Sequence, residues 1–399
     1  MLFSAALMLL AGMAMGWLCK RAGLPALLGM IVTGIILGPS VLNLIDGSIL
    51  SISAELRRIA LIIILARAGL TLDIRDLKKV GRPAVLMCFV PASFEIAGMI
   101  VLAPVLFGMT VVEAALTGAV VAAVSPAVIV PKMIRLMEEG YGTEKSIPQL
   151  ILAGAAVDDV FVIVLFTAFT GLAQGEHISA MSFVNIPVSI CLGMAAGIFL
   201  GYLLSKFFER VHVRDTVKVI VIMCVSFLLV TAEDRIKGPV TFSALIAIMF
   251  MGIAVQKYRR EVSVRLSAKF NRLWVCAELV LFVLVGAAVD IHYVSGAALY
   301  AVILIFGVLV FRMLGVLLCL ARTNLTWKER LFCMLAYTPK ATVQAAIGGV
   351  PLSLGLSCGN MVLTIAVMAI LITAPLGAFL IEVSHKKLLE HYKAPEDRA

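Results

Sequence analysis

Long apolar runs follow one another along the whole chain, separated by short breaks that carry charges, prolines or glycines. Most of these runs have close to the roughly 20 residues that a helix needs to cross a bilayer. The pattern predicts an all-α integral membrane protein with thirteen spanning helices. The predicted spans are residues 1–19, 24–42, 55–72, 82–107, 112–136, 148–173, 182–205, 217–232, 240–256, 273–289, 294–320, 329–349 and 358–382.

Basic residues are distributed very unevenly between the two sets of alternate loops. Of the 33 Lys and Arg residues, 26 lie in or beside the loops that follow odd-numbered spans, and 4 lie on the opposite side. Cytoplasmic loops of membrane proteins collect Lys and Arg. We therefore expect a multi-pass protein of the plasma or inner membrane, with the N-terminus outside, the C-terminus in the cytoplasm and 383–399 as a short cytoplasmic tail.

The amino-acid composition also indicates an integral membrane protein. Hydrophobic residues make up 62% and charged residues 14%, against roughly 45–50% and about 25% in soluble domains. The net charge of +9 follows from the basic loops, so nucleic-acid binding is excluded as an explanation. Because Lys20 and Arg21 follow the first apolar run and no basic segment precedes it, we expect a retained helix and not a cleaved signal peptide.

Seven ionisable residues lie well inside the predicted spans, where a charge costs at least about 2.5–3.5 kcal/mol. They are Arg67, Glu95, Asp158, Asp159, Glu278, Arg312 and Lys340. Depth along each helix, at about 1.5 Å per residue, allows these groups to be matched. The matching predicts ion pairs Arg67–Glu278 and Glu95–Arg312, and a pair between Lys340 and one aspartate. The other aspartate then has no fixed partner.

Each predicted pair has a simpler alternative. Arg67 can extend its guanidinium to the cytoplasmic interface, and Glu278 can face a water-filled vestibule alone. Glu95 and Arg312 lie too deep for that, and we expect them to tie helices together structurally and not to bind the ion.

The adjacent carboxylates Asp158 and Asp159 are the strongest chemical signal in the sequence. They lie mid-span in the run ILAGAAVDDVFVIVLF, with apolar residues on both sides. Two like charges in a low-dielectric site cannot both ionise cheaply, so one carboxyl is expected to hold a proton and release it when a cation competes. Because carboxylate oxygens suit hard cations, both residues are predicted to bind the ion and the proton.

Two predicted spans are interrupted by residues that break helices. The first contains Ser125, Pro126 and Pro131, and the second contains Thr338, Pro339, Gly348, Gly349 and Pro351. Proline inside a helix removes a hydrogen bond and disrupts a turn, and interrupted helices in corresponding halves of a transporter mark an ion site at the midplane. We expect the freed carbonyls to be able to bind cations, and Lys340 to balance the half-helix dipoles together with the residues at the breaks.

At these positions the sequence resembles the monovalent cation:proton antiporter superfamily, specifically its NHA-like sodium/proton antiporters. The matching stretches are LPALLGMIVTGIILGPSVL, IALIIILARAGLTLD, GAVVAAVSPAVIVP, GAAVDDV and TPKATVQAAIGGV, spread over 24–351. The resemblance implies the NhaA-like antiporter fold, with inverted repeats at about 24–205 and 217–382 and two crossing broken helices. It also implies interleaved core and dimerisation subdomains within one unit of 1–399, and a homodimer whose core moves like an elevator.

The resemblance also implies roles for individual residues. Asp159 corresponds to the principal carrier carboxylate, and Asp158 is its neighbour. In many electrogenic relatives the basic partner lies on the helix before the second broken one, where this chain has Arg312, whereas Lys340 lies in the broken span itself. The base that neutralises Asp158 is therefore left open at this point.

The function implied is exchange of Na⁺ or Li⁺ for H⁺ by alternating access, with no bound cofactor and no enzymatic reaction. A K⁺/H⁺ antiporter of the same superfamily and a passive cation channel are alternatives. An intramembrane aspartyl protease is disfavoured because adjacent helix residues point about 100° apart. ATP-driven pumping is not supported, since the chain has no GxxxxGK[ST] loop.

Overall fold

The computed structural model describes residues 1–71, 81–174, 180–211, 213–236 and 242–391. Apart from one isolated β-bridge, all regular secondary structure in these residues is helical. The basic loop around 72–80 and the end of the predicted cytoplasmic tail lie outside the described residues.

Eighteen helices are described in these segments. They are α1 Leu2–Arg21, α2 Ala26–Leu37, α3 Gly47–Ser51, α4 Ser53–Thr71, α5 Arg82–Met87, α6 Val90–Phe107, α7 Val111–Ala122, α8 Pro126–Glu138, α9 Ile147–Gln174, α10 Ala180–Arg210, α11 Asp215–Arg235, α12 Ala244–Tyr258, α13 Arg260–Ala287, α14 Ile291–Cys319, α15 Trp327–Ala336, α16 Thr342–Ile347, α17 Val350–Ser353 and α18 Gly359–Leu388.

Nine candidate membrane spans are long and apolar enough to cross a bilayer within the part of the chain that the structure describes. Seven are parts or the whole of single helices, and two combine the consecutive pairs α5–α6 and α7–α8. The helices α2 and α12 are also apolar but shorter, with 12 and 15 residues. The all-helical architecture agrees with the sequence, while the number of thirteen spans stays a prediction.

Helix α13 differs most from its predicted span. It begins at Arg260, thirteen residues before the predicted start at 273. Its first half is rich in Arg and Lys, which ended the apolar run, but Val262, Leu266 and Phe270 recur every four residues and are buried. A helical face of this kind continues the helix beyond the apolar segment.

The helices pack into two groups. One group contains α1, α2, α4 and α10–α13, and the other contains α5–α9 and α14–α18. Contacts between the groups run mainly through α9 against α10 and α12, and through α16 against α4 and α13. The interrupted helices and the aspartate-bearing helix α9 therefore all belong to the second group.

Glycines let the helices of the first group approach very closely. A Cβ atom built on Gly34 of α2 would lie 2.0 Å from the carbonyl oxygen of Val283 in α13. A Cβ on Gly69 of α4 would lie 2.2 Å from the carbonyl oxygen of Met249 in α12. Backbone-to-backbone packing of this kind is how helices associate in lipid, where apolar side chains gain little by leaving the solvent.

Ion pairs connect neighbouring elements at one end of the second helix group, α5–α9 and α14–α18. Lys145, in the loop before α9, donates to both carboxylate oxygens of Glu329 at 2.9 and 3.0 Å, and this hydrogen bonding raises the pKa of the Lys145 amine. Glu329 also caps α15 through Thr326. Lys132 and Arg135 of α8 both bind Glu382 of α18. Helices α8 and α15, which flank the breaks of the two interrupted helices, are thus held by charged contacts to neighbouring elements.

Candidate functional site

The two interrupted helices meet at their breaks. Helix α7 ends at Ala122 and α8 begins at Pro126, where the missing N–H is tolerated because the first turn of a helix does not use it. Ser125 between them has extended backbone, and its N–H donates to the carbonyl oxygen of Pro339 at 2.8 Å. Pro339 lies in the second break, between α15 and α16.

One of the proline positions behaves differently from the prediction. Pro131 lies inside α8 without interrupting it, so the first break is produced by the segment that ends at Pro126. In the second interrupted span, Gly348 and Gly349 separate α16 from the short helix α17. The Thr338 hydroxyl donates to the Leu335 carbonyl at 2.9 Å and so closes the end of α15.

Arg312 of α14 lies at the centre of the crossing and is fully buried. Its Nε donates to the Tyr337 carbonyl at 2.6 Å, and Nη1 donates to the Ala122 carbonyl and to Glu95 Oε2, the latter at 2.8 Å. Its Nη2 donates to Asp158 Oδ2 at 3.0 Å. The guanidinium therefore joins both breaks to two acids on separate helices, a geometry that suits a planar fork of donors.

Lys340 makes a different pair from the one predicted by depth. Its Nζ donates to Glu95 Oε2 at 2.6 Å and to the Ala122 carbonyl at 3.2 Å, so its acidic partner is Glu95 and not an aspartate. The Glu95–Arg312 contact expected from depth is present, and Arg312 is also the base that contacts Asp158. The prediction for Lys340 was wrong because depth does not specify the direction in which a side chain leaves its helix.

The two aspartates of α9 have unlike surroundings. Asp158 is fully buried, and its Oδ2 accepts from the Val124 N–H at 2.8 Å as well as from Arg312. Asp159 is half-buried, and its Oδ1 has no hydrogen-bond partner. Within the described residues no ion pair involves Asp159, so it is the aspartate whose charge is left uncompensated.

Four side-chain oxygen atoms near the crossing are buried without a hydrogen-bond partner. They are Oδ1 of Asp158, Oδ1 of Asp159, the hydroxyl oxygen of Ser125 and Oε1 of Glu95. Two come from consecutive residues of α9, and Ser125 directly follows the residue whose N–H binds Asp158. Buried polar atoms are normally partnered, and a set of oxygens of this type fits a small hard cation.

The second predicted pair, Arg67 with Glu278, is less direct. The two residues lie on the packed helices α4 and α13, and their charges interact electrostatically. Among the described residues, however, no ion pair within 4.0 Å joins Arg67 to Glu278. Both side chains are half-buried, which is compatible with the simpler alternatives given for them above.

A family model described as "Sodium/hydrogen exchanger, transmembrane" matches residues 5–383. The matched range includes both interrupted helices, the aspartate pair and the buried bases. The chain belongs to the sodium/hydrogen exchanger family.

Similar members of this family include two human proteins. The chain is 32% identical over 392 residues to sodium/hydrogen exchanger 9B2 of Homo sapiens, covering 94% of this chain and 72% of that protein. It is 31% identical over 354 residues to sodium/hydrogen exchanger 9B1 of Homo sapiens, covering 86% of this chain and 68% of that one.

The fold of this exchanger is shared with a solved antiporter. The structure of the sodium proton antiporter MjNhaP1 from Methanocaldococcus jannaschii superposes with a TM-score of 0.83, at 21% identity, over 96% of this chain and 97% of that one. The expected membrane antiporter fold is therefore confirmed, and this family member is a multi-pass membrane protein.

Three buried polar residues at the crossing were not singled out from the sequence. Cζ of Arg312 lies over the Tyr337 ring, 5.0 Å from the ring centroid. The Tyr337 hydroxyl donates to the Met87 carbonyl. Thr373 of α18 accepts from the Lys340 N–H at 2.9 Å, and Gln344 contacts the first break. A polar residue inside an apolar run was the available signal, and it is strongest for Gln344, four residues after Lys340.

We expect Arg312→Lys to destabilise the fold by about 3 kcal/mol, because a lysine keeps the charge but cannot serve acceptors in four places. Thermal unfolding of the purified protein measures the change, with Arg272→Lys at an exposed position as the matched control. Equal melting temperatures of both variants and the unsubstituted protein would contradict the role given to the guanidinium.

Proposed function

We propose that this chain is a secondary antiporter that exchanges Na⁺ (or Li⁺) for H⁺ by alternating access, with Asp159 as the exchanging carboxylate. The observation that carries the proposal is the charge arrangement at the crossing. Glu95 and Asp158 contact Arg312, and Lys340 contacts Glu95. Two acids and two bases thus compensate one another, and Asp159 remains.

An ionised carboxylate without a counter-charge is costly in an apolar surrounding. Either a proton or a cation bound to Asp159 relieves this cost, and each excludes the other from the same oxygen atoms. The empty, ionised state is the least favourable one, so the carrier crosses between its two orientations with one of the two ligands bound. Coupling of the two fluxes follows from this competition.

The cation has a set of ligands available beside the exchanging group. Asp159, Asp158 and Ser125 each offer an oxygen atom that has no other partner. The carboxyl of Asp158 is held in place by Arg312 and the Val124 N–H, and its free Oδ1 supplies a second oxygen ligand. The names of the family members above, sodium/hydrogen exchangers, agree with Na⁺ as the transported ion.

Asp159→Asn is expected to abolish exchange, because an amide neither releases a proton nor neutralises a cation. Addition of Na⁺, Li⁺ or K⁺ to proteoliposomes, with the internal pH recorded, measures the activity and separates Na⁺/H⁺ from K⁺/H⁺ exchange. Asp234→Asn is the matched control, since Asp234 pairs with Arg58 at an exposed position, where such pairs contribute little. A full signal from Asp159→Asn, or no response to Na⁺ or Li⁺ by the unsubstituted protein, would end the proposal.

Exchange is expected to be electroneutral, with one H⁺ for each Na⁺. Only Asp159 changes its ligand, and the carrier has the same net charge with either ion bound. Rates in proteoliposomes should therefore stay constant when a K⁺ gradient and valinomycin set the membrane potential. A rate that changes steeply with potential would show that a second group, with Lys340 as the first candidate, gains or loses a proton in each cycle.

We further propose a homodimer in the plasma or inner membrane, with the N-terminus outside. The basic loops and the resemblance to dimeric antiporters support this arrangement. In a cysteine-free background, Lys328→Cys should react with an impermeant maleimide only from the cytoplasmic side, and Gly47→Cys only from outside. The opposite labelling would reverse the topology, and a monomeric mass in lipid nanodiscs would exclude the dimer.

A further inference from the structure

Gln344 of α16 is fully buried and uses both ends of its side-chain amide. Its Nε2 donates to the carbonyl oxygens of Val121 at 3.0 Å and Ala123 at 2.7 Å. Its Oε1 accepts from the Ala341 N–H at 2.8 Å, at the start of its own half-helix. Glutamine is the neutral residue that carries two donor hydrogens and an acceptor oxygen at the end of a side chain of this length.

One of these contacts acts on the peptide group that binds Asp158. The carbonyl of Ala123 and the N–H of Val124 belong to the same planar unit. The carbonyl accepts from Gln344, and the N–H on the opposite side donates to Asp158 Oδ2 at 2.8 Å. The orientation of this plane is therefore set by Gln344, and a hydrogen bond to the carbonyl also polarises the N–H that faces the carboxylate.

Gln344 also donates hydrogen bonds to carbonyl groups that have no helical partner because the helix is interrupted. The oxygens of Val121 and Ala123 accept from Gln344, and the oxygen of Ala122 accepts from Arg312 and Lys340. Three successive carbonyls at the end of α7 are thus occupied by protein donors. These three carbonyls are therefore already engaged, while the expectation from the sequence that freed carbonyls bind the ion stays a prediction for the other carbonyls at the breaks.

We propose that Gln344 is a positioning residue of the carrier site, which orients the Ala123–Val124 peptide towards Asp158 and withholds the carbonyls of Val121 and Ala123 from the transported cation. The proposal rests on the function proposed above and extends it from the carboxylates to the second interrupted helix. The cation is then bound by carboxylate and hydroxyl oxygens without the carbonyls of Val121 and Ala123, and one amide links the geometry of the two half-helices to cation affinity.

The test is the cation dependence of exchange in proteoliposomes for Gln344→Leu, which keeps the size but removes all three hydrogen bonds. We expect the KM for Na⁺ to rise about tenfold or more, because hydrogen bonds that act on a charged group are among the strong ones. The ratio of Li⁺ to Na⁺ affinity is expected to change as well, since two carbonyl oxygens become available as ligands. Gln256→Leu, a half-buried glutamine of α12 outside the crossing, is the matched control.

Gln344→Glu is the conservative variant. A protonated glutamate of the same length retains one donor, so its KM for Na⁺ should lie between those of the unsubstituted protein and Gln344→Leu. This variant decides the question if Gln344→Leu fails to fold.

A fall in maximal rate or melting temperature with unchanged KM and unchanged Li⁺ to Na⁺ ratio would reduce Gln344 to a structural contact and overturn the inference. The same holds if neither variant differs from the Gln256→Leu control. Absence of exchange in the unsubstituted protein is a distinct result, because it removes the proposed function itself.

Discussion

The buried guanidinium of Arg312 is the contact on which the rest of the site depends. Four elements converge on it: a backbone carbonyl from each broken helix, and one acid each from α6 and α9. Helix breaks expose carbonyls inside an apolar bundle, and acids at that depth demand compensation. Arg312 meets both requirements at once, with Lys340 as a second donor to Glu95 and Ala122, and this allows two interrupted helices to cross inside the bundle.

The charges of Arg312, Lys340, Glu95 and Asp158 balance one another, and this leaves the adjacent Asp159 without a counter-charge. Asp158 and Asp159 are adjacent in sequence, but a helix directs them about 100° apart, so only one of them faces the guanidinium. The first is held by Arg312 and the Val124 N–H, and the second has an oxygen without a partner. Identical chemical groups thus acquire a fixed and an exchangeable role from the geometry of one helix, as the proposed mechanism requires.

Much of the architecture was predictable, because lipid imposes simple rules on composition. Apolar runs predicted an all-helical membrane protein, and Pro126 and Pro339 marked the two breaks, whereas Pro131 lies inside a continuous helix. The early start of α13 was missed since charges end an apolar run while its buried face continues through Val262 and Leu266. Depth paired Glu95 with Arg312 but assigned Lys340 to the wrong acid, because the direction of a side chain depends on the crossing of helices. The contacts of Gln344 could not be predicted from the sequence for the same reason.

The glycine contacts of the first helix group have a mechanical consequence. At Gly34 and Gly69 the backbones touch directly, with no layer of side chains that rotamer changes could rearrange. Such a seam resists sliding, since any displacement drives main-chain atoms into one another. The group that contains α2, α4, α12 and α13 is thereby suited to serve as a rigid support for the helices packed against it.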